Sequence, residues 1–372
     1  MKVDIRQLDL KDMDGVFSLY GDVFGKDKLE MWKKRWEWEF LKNPRTGLAP
    51  SKMWIAERQD RKILGYIGSF PMLLKVGTTE IFTSSSGDLM VFKDGRRQGL
   101  GQRLSKAYRD SEEILATDGF GYQPATGRIY QRLGYKPVYC EPIYVRPFDL
   151  KSIFQFLIDS ERAPSILSKG LLSQLSQVVC IIFNKFLYVG NRARWPNISK
   201  NFVIEEVKQV GPEFDVLWKN ISHDFPVIFV RDSKFVKWRF MDDPVFQHTL
   251  LSARDLDGNL CGYLDFCVSI RRRMPIGRIM DIFCRPSSSD IIDSLLGKAL
   301  DIMKKKNVAL VSCLGMHPDI RERIKKFLYL RVRSVEIPAL LYCSGDESIR
   351  KFVYNESMWH VTSADGDEGF AP

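Results

Sequence analysis

Histidine and closely spaced cysteine are scarce in this chain of 372 residues. Its four histidines are scattered, and its seven cysteines show no CxxC spacing. Zinc sites draw on clustered cysteine and histidine ligands, so the sequence predicts no metal site and gives no support for a histidine-based triad. Most cysteines lie in apolar runs such as IFC and ALLYC. Buried free thiols are typical of such runs, so we predict no disulfides.

Long apolar runs are also missing. No stretch reaches the roughly 18 apolar residues that cross a bilayer. The first residues, MKVDIRQLDLKDMDG, carry acids where a signal peptide needs an apolar segment. We therefore expect a soluble, cytoplasmic protein. The composition, 45% hydrophobic and 27% charged residues, excludes disordered and collagen-like proteins, and the length favours two domains.

Positive charge predominates, with a formal net charge of +10. The densest clusters are Lys33–Arg35, Arg271–Arg273 and Lys304–Lys306. No aromatic-interleaved RNA motif or zinc finger accompanies them, so no nucleic-acid partner is expected. We interpret the clusters as solvated faces and hairpin tips.

An internal repeat organises the chain. The segment WEFLKNP, Trp38–Pro44, reappears as WRFMDDP, Trp238–Pro244, at a shift of 200 residues. Five matches in one order indicate two copies of one fold. The other four have shifts of 192 to 197 residues: Gly65-Tyr66 with Gly262-Tyr263, Asp88 with Asp281, Lys106-Ala107 with Lys298-Ala299, and Pro142 with Pro338.

Each copy combines strand-like and helical runs. In the first copy an amphipathic helical region precedes the strand-like runs MWIAERQD, KILGYIGSFPMLLKVG, EIFTSSSG and GDLMVF. A Gly-rich turn, a helix from about Gly99 to Ile114, a strand, a short helix and a final strand follow. This alternation favours a mixed sheet with helices packed against it. The predicted fold class is α/β (α+β).

An apolar-rich segment separates the copies. Residues 151–200 contain SILSKGLLSQLSQVVCIIFNKFLYVG, in which polar and apolar residues fall on different helical faces. We interpret it as a linker helix packed on both domains, and a helix lying on a membrane through 165–190 is the alternative. The predicted domains are 1–150 and 201–372, with a helical linker over 151–200.

The most informative segment is DLMVFKDGRRQGLGQRLSKAYRD. A strand-like run ends at Phe92, and the residues RRQGLG, 96–101, then open a helix. Two glycines let a phosphate approach the backbone, and the unpaired N–H groups of a first helical turn attract negative charge. The loop lacks both the Gly-Lys-Ser/Thr of a Walker loop and the GxGxxG of dinucleotide folds. It predicts a phosphate-binding loop of a different kind.

Two motifs resemble the GNAT acetyltransferase superfamily. The first signature of that family is Arg or Gln, two residues, Gly, one residue, then Gly or Ala, and Arg96, Gly99 and Gly101 fill those places. The second is an aromatic residue followed by a Gly-aromatic step, which is present as YQRLGY, Tyr130–Tyr135. The resemblance covers about residues 3–145 and reaches the second copy through the repeat.

This resemblance implies two tandem GNAT-like domains that use acetyl-coenzyme A as donor and an amine as acceptor. Tyr130 would be the general acid that protonates the departing thiolate. Backbone amides from Gln98 to Gln102 would hold the pyrophosphate, and a strand edge would pair with the pantetheine arm. The residues implied in donor binding are Leu89, Met90, Val91, Arg96, Arg97, Gln98, Gly99, Leu100, Gly101 and Gln102.

The general base is less clearly marked. Asp88, on the strand that leads into the loop, is one candidate. Its counterpart Asp281 occurs in the copy without the loop, which favours a shared structural hydrogen bond instead. Glu37, Glu39 and the serines 84–86 are other candidates, and a water relay or an amine that arrives unprotonated needs no carboxylate.

The second copy departs from the family pattern at each functional place. Where the first copy has the loop, the second reads RPSSSDIIDSLLGKAL, 285–300, and we expect a serine or aspartate side chain to cap this helix. Tyr130 aligns with Lys325, and Gly134 aligns with Tyr329. We therefore predict a degenerate domain that supports the first or shapes its acceptor groove.

The acceptor and the acyl chain are left open. A small-molecule or sugar amine is the expected acceptor; an aminoglycoside is disfavoured because such enzymes carry a further sterol-carrier-like domain. One alternative is a non-catalytic acyl-coenzyme A-binding regulator or scaffold. Another is transfer of a longer acyl or an aminoacyl group. The sequence does not indicate an oligomeric state.

Overall fold

The computed structural model describes residues 2–47, 51–112, 115–118, 124–159, 199, 201–314, 317–327 and 330–366. The segment 165–190, predicted as an amphipathic helix, lies outside these residues. Among the described residues, no helix combines the length and apolarity needed to cross a membrane.

The first copy forms a mixed sheet with helices. Its elements are β1 (Val3–Gln7), α1 (Met13–Phe24), α2 (Leu29–Trp36), β2 (Lys52–Arg58), β3 (Ile63–Val76), β4 (Thr79–Val91), α3 (Leu100–Asp110), β5 (Leu115–Asp118), α4 (Pro124–Arg132) and β6 (Lys136–Pro147), followed by α5 (Leu150–Asp159). Two expectations were wrong in detail. The N-terminal region begins with a strand, β1, and the runs EIFTSSSG and GDLMVF form one continuous strand, β4.

The second copy repeats this order with two additional strands, one between its first two helices and one after its final helix. Its elements are β7 (Val203–Glu206), α6 (Glu213–Ile221), β8 (Val227–Phe229), α7 (Ser233–Val236), β9 (His248–Arg254), β10 (Leu260–Arg271), β11 (Met274–Cys284), α8 (Ser289–Lys305), β12 (Leu310–Leu314), α9 (Pro318–Phe327), β13 (Leu330–Cys343), α10 (Glu347–Val353) and β14 (Trp359–His360).

Two compact units are present, and each contains parts of both copies. The first unit takes in 1–141, 218–245 and 337–372, and the second takes in 142–217 and 246–336. In the first unit, strands β1 to β5 lie in order, and the end of β13 pairs antiparallel with β5. Strand β8 pairs with β3, and β14 with β8. In the second unit, the order is β6-β12-β11-β10-β9-β7, with the end of β6 on β12.

This exchange of final strands makes both compact units discontinuous in sequence. The contiguous ranges 1–150 and 201–372 therefore do not coincide with them. The physical reason is that a strand pairs with any edge of suitable register, and the spacing of a repeat does not specify which edge that is. The division at 1–150, 151–200 and 201–372 stays a prediction about the extent of the copies.

Helix α3 lies on the sheet of the first unit through one face. Leu100, Leu104 and Tyr108, at i, i+4 and i+8, are buried, whereas Gln102 and Arg103 are exposed. This spacing places the apolar side chains on a single stripe. They belong to a core cluster that also contains Trp54, Leu64, Ile67, Tyr130 and Leu133.

Trp38 and Trp238, which are equivalent in the repeat, meet inside the first unit. Their rings are stacked, with centroids 4.8 Å apart and planes 21° apart. Each indole N–H donates to the backbone carbonyl of the other tryptophan, at 2.9 and 3.1 Å. Both lie in π-helical turns, Glu37–Leu41 and Lys237–Met241. The repeated segment thus builds a reciprocal contact with its own copy.

We expect the two tryptophans to be energetically coupled. Trp38→Phe and Trp238→Phe should each lower the free energy of unfolding, and the double variant should depart from additivity by about 1 kcal/mol, because stacked aromatic pairs contribute roughly that amount. Urea unfolding followed by far-ultraviolet circular dichroism measures this coupling.

Trp54→Phe combined with Trp238→Phe is the matched control. Trp54 makes an edge contact with Tyr108 in the first unit, with centroids 6.4 Å apart. This pair of substitutions should be additive within about 0.5 kcal/mol. Equal additivity for Trp38 and Trp238 would contradict the proposed coupling.

Candidate functional site

The predicted loop joins the end of β4 to the start of α3. A 3-10 turn, Lys93–Gly95, leads into exposed residues 96–99, and the helix begins at Leu100 with Gly99 as its N-cap. Gly99 has φ +73°, which favours glycine, and a Cβ built there would meet no atom within 4 Å. The space in front of this turn is therefore open, as close approach of a ligand to the backbone requires.

Backbone N–H groups accumulate at this helix start. The N–H of Arg96 donates to the carbonyl of Lys93, and that of Arg103 donates to Gly99. Between them, residues 97–102 have no N–H with an acceptor in the described part of the chain. The first turn of any helix leaves such donors unsatisfied, and together with the helix dipole they form an anion-binding surface.

The side chains around the loop are mostly basic and exposed. Arg96 donates to the carbonyl of Val91 at 3.3 Å, and Gln98 donates to that of Asp94 at 2.8 Å. Arg97 is exposed. Lys62 lies over the ring of Phe92, 4.2 Å from its centroid. The predicted loop residues are therefore together at one helix end, beside positive charge.

Strand β4 extends beyond the described part of β5 next to the loop. It pairs with the parallel strand β5 at Ser84, Ser85 and Ser86, whereas it continues to Val91. Residues 87–91, including the predicted Leu89, Met90 and Val91, have no β5 partner among the described residues. An extended ligand can pair with such an edge as an added strand does.

A β-bulge distorts β4 at the same place. Tyr66 pairs with Met90 and Gly68 with Gly87, so Asp88 and Leu89 together oppose Ile67. Asp88 adopts φ +55°, an unfavourable conformation for a residue with a side chain. Bulges interrupt a ladder and re-aim its groups, and they are frequent next to active sites.

Tyr130 lies where the pairing of β4 and β5 ends. Its hydroxyl is 2.9 Å from Oγ of Ser86, and either atom could be the donor. The residue is buried and packs edge to face on Tyr135 at 4.7 Å. The second sequence motif therefore points its aromatic residue toward β4, beside the bulge.

Asp88 is held by two partners that the sequence analysis missed. Both carboxylate oxygens lie within 2.9 Å of Nη1 of Arg35, and the hydroxyl of Tyr20 donates to Oδ2 at 2.5 Å. Burial, followed by the charge of Asp88, raises the pKa of Tyr20 well above its usual value. Tyr20 therefore stays protonated and remains a donor to Asp88.

Arg35 is buried, which corrects the interpretation of Lys33–Arg35 as a solvated cluster. Only 1% of Arg35 is exposed, and Nη2 lies 2.6 Å from Oε2 of the buried Glu39. The physical reason is helical periodicity, since Trp32, Arg35, Trp36 and Glu39 share one inward face at i, i+3, i+4 and i+7. A charge pair at i, i+4 within an aromatic stripe was the available signal for this network.

The other base candidates have partners elsewhere. Glu37 lies on the surface, 3.0 Å from Nζ of Lys42. The hydroxyl of Tyr108 is 3.1 Å from Oγ of Ser84 and also donates to the carbonyl of that residue. The serine run is thus contacted by tyrosines from α3 and α4.

The corresponding positions of the second copy differ. Ser288 is the N-cap of α8, but its side chain makes no capping hydrogen bond, so the prediction of a serine cap is wrong. Asp290, in the first turn, accepts a hydrogen bond from the N–H of Ile291 at 3.1 Å. Lys325 is exposed and lies 2.5 Å from Oε1 of Glu322. The buried Asp281 accepts from the hydroxyl of Tyr263 at 2.7 Å.

Comparisons with known proteins bear on the family and the fold. Residues 4–138 match a family model described as an acetyltransferase (GNAT) domain. Among solved structures, a GCN5-related N-acetyltransferase from Anabaena variabilis is 13% identical, with a TM-score of 0.58 over 92% of this chain and 73% of that chain. No curated protein sequence matches the chain significantly.

Two further solved structures share the fold. The N-myristoyltransferase of Saccharomyces cerevisiae with bound myristoyl-CoA is 13% identical, with a TM-score of 0.58 over 98% of this chain and 85% of that chain. A probable N-acyltransferase from Enterococcus faecalis is 9% identical, with a TM-score of 0.59 over 94% and 74%. At such identities these likenesses establish the fold. With the family match, they confirm the predicted resemblance of residues 4–138 to a GNAT acetyltransferase domain, and they support an acyltransferase enzyme.

Proposed function

We propose that the first copy transfers an acetyl group from acetyl-coenzyme A to the amine of a small-molecule or sugar acceptor. The observation that carries the proposal is the run of N–H groups over residues 97–102, at an open helix start beside the part of β4 that has no partner strand on the β5 side among the described residues. A diphosphate needs the first feature, and an extended amide-containing chain needs the second.

The donor fits the residues that are present. The amides from Gln98 to Gln102 bind the pyrophosphate, with Arg96 and Arg97 adding charge. Leu89, Met90 and Val91 pair with the pantetheine arm. Acetyl-coenzyme A would supply a thioester, whose carbonyl carbon an amine can attack. The open space in front of Gly99 supports this assignment, because a side chain there would fill it.

Tyr130 acts as the general acid in this proposal. When the amine attacks the thioester carbon and the carbon–sulfur bond breaks, the Tyr130 hydroxyl donates its proton to the sulfur. Ser86, 2.9 Å away, orients the phenol. The amine loses a proton to water or to the solution, so the reaction needs no carboxylate at this step. General acid catalysis of this kind contributes about 10² to 10⁴ in rate.

For Asp88, the contacts support the structural role that the sequence left open rather than that of general base. Its oxygens accept hydrogen bonds from Arg35 and Tyr20, and they thereby hold α1 and α2 to β4. Asp88 instead fixes the bulge that shapes the β4 edge. Asp281 has the same kind of tyrosine partner in the copy without the loop.

The second copy is proposed to be degenerate and supportive. An aspartate stands in the first turn of α8 where the first copy has a phosphate-binding loop, and a carboxylate there repels an anion.

Transfer of a longer acyl group is the second candidate, since the chain shares its fold with a protein that binds myristoyl-CoA. A panel of acetyl-, octanoyl- and myristoyl-coenzyme A, assayed for thiol release with amines, separates the two.

Coenzyme A should bind once per chain. The first copy carries the loop, and the second has Asp290 in its place. Isothermal titration with coenzyme A should give a stoichiometry near one, and hydrogen exchange should slow at 97–102. Two equivalent sites, or protection at 285–297, would contradict a single site in the first copy.

Gly99→Glu should strongly weaken coenzyme A binding in a folded protein. The added carboxylate would occupy the pyrophosphate position, and like charges about 4 Å apart repel by roughly 1 to 4 kcal/mol. We expect the affinity to fall at least roughly tenfold, as measured by titration calorimetry.

Gly258→Glu is the matched control, because Gly258 has φ +85° and likewise no atom within 4 Å of a built Cβ. Both variants carry the same backbone strain, so both should lose similar stability. Unchanged affinity in Gly99→Glu, or an equal loss in Gly258→Glu, would overturn the loop assignment.

Tyr130→Phe should lower kcat by roughly 10²-fold or more with little change in coenzyme A affinity. The ring and its packing on Tyr135 remain, whereas the proton donor is lost. Steady-state kinetics measures kcat, and calorimetry on the same preparation measures the affinity for coenzyme A. Lys325→Ala, at the equivalent place in the second copy, should leave kcat unchanged. Wild-type turnover in Tyr130→Phe would return Tyr130 to a packing role.

A further inference from the structure

Two basic clusters that are distant in sequence lie at one end of the second unit. Arg271–Arg273 forms the tip of the β10–β11 hairpin, where Arg271 pairs with Met274. Lys304–Lys306 ends helix α8 and precedes β12. The N–H of Ala309 donates to the carbonyl of Pro275 at 2.9 Å, which joins the two segments directly.

The spacing along the chain limits how far apart the charges are. Arg273 is two residues from Pro275, and Lys306 is three residues from Ala309. Their Cα atoms therefore lie at most about 7 Å and about 11 Å from that hydrogen bond. The carbonyl of Ala309 also accepts from the N–H groups of Phe148 and Asp149, at 2.8 and 3.0 Å. This brings Lys151, at the start of α5, to the same end.

The arginines at the hairpin tip are not required by the turn. Arg272 and Arg273 have φ +43° and +68°, and a two-residue turn with two positive φ angles favours Asn-Gly. In the equivalent β3–β4 hairpin, Gly77 takes the positive φ, +61°, and Thr78 completes the turn. The fold thus accepts an uncharged turn, and the second copy places two arginines there at a conformational cost.

An aliphatic side chain stands among these charges. Ile270, next to the arginines, is 76% exposed. In the same hairpin, Met274 and Ile276 are buried with Ala309 and pack against Ile153 and Phe156 of α5, so hairpin and helix form one body. Nucleic-acid surfaces present polar and aromatic side chains to phosphates and bases. An exposed aliphatic residue directly beside three arginines fits the boundary between headgroups and acyl chains better.

We propose that this basic end, which comprises Lys151, Ile270–Arg273 and Lys304–Lys306, binds the anionic surface of a phospholipid membrane. The arginine and lysine side chains contact lipid phosphates, and Ile270 enters the boundary of the acyl chains. Six of these basic residues lie in the two clusters, and each basic residue close to an anionic surface adds to the attraction.

Flotation of the full chain with vesicles tests the proposal. Mixed phosphatidylcholine and phosphatidylglycerol vesicles should carry the protein at low salt, and pure phosphatidylcholine vesicles should not. Raising the salt should release it, because surface charges are screened over about 8 Å at physiological ionic strength. The double variant Arg272→Asn with Arg273→Gly should weaken binding roughly tenfold or more, while its melting temperature rises, because Asn-Gly suits the turn.

Two further variants distinguish binding through the basic end from attraction by the overall net charge of the protein. Lys26→Gln with Lys28→Gln removes two exposed charges from the first unit and should leave vesicle binding within about twofold, since those residues lie outside the basic end. Ile270→Thr keeps the charge and the strand propensity and should weaken binding several-fold. Absence of binding to anionic vesicles, equal losses in both double variants, or tighter binding to duplex RNA that the hairpin variant abolishes would overturn the proposal.

Discussion

The buried guanidinium of Arg35 is the interaction on which the site depends. It joins α2 to β4 by contacting Asp88 and Glu39, two carboxylates that would otherwise repel each other inside the first unit. Removing one member of such a network costs about 3 to 5 kcal/mol, because the remaining charges stay buried. Asp88 is also the residue that adopts φ +55° at the bulge. The ion pair therefore holds an unfavourable backbone conformation in place, and that conformation shapes the edge of β4 that faces Tyr130.

The exchange of strands explains why a copy without the loop keeps its fold. The first unit takes residues 218–245 and 337–372 from the second copy. These segments supply β8, which pairs with β3, and the end of β13, which pairs with β5. They also supply Trp238, which stacks on Trp38. A mutation that unfolded the second copy would expose the edge of β5, so the proposed donor site of the first copy requires these segments of the second copy to be in place.

Much of the fold and of the candidate site could be predicted from local pattern. Strand runs, the repeat and the loop motif are short-range features, and the structure places residues 96–102 together at a helix start as the motif indicates. The strand exchange and the Arg35 network could not be predicted in this way, because they join residues such as Arg35 and Asp88 that are far apart in sequence. A basic cluster was interpreted by composition as solvated, whereas one of its members faces the core.

Two equivalent surface positions differ between the copies: the start of the helix that follows the central hairpin, and the tip of that hairpin. At the start of α3, Gly99 leaves open space and free N–H groups, whereas the start of α8 carries Asp290. At the hairpin tips, the first copy has Gly77, whereas the second copy has two arginines. The charge of the second copy is therefore negative at the helix start and positive at the hairpin tip. These are surface turns, where a side chain changes binding without disturbing packing. Buried positions are more constrained than surface turns. The buried carboxylate of Asp281 must keep a hydrogen-bond donor, which is the hydroxyl of Tyr263. Divergence between the copies is therefore concentrated in surface turns, whereas the equivalent aspartates Asp88 and Asp281 each accept a hydrogen bond from a tyrosine hydroxyl.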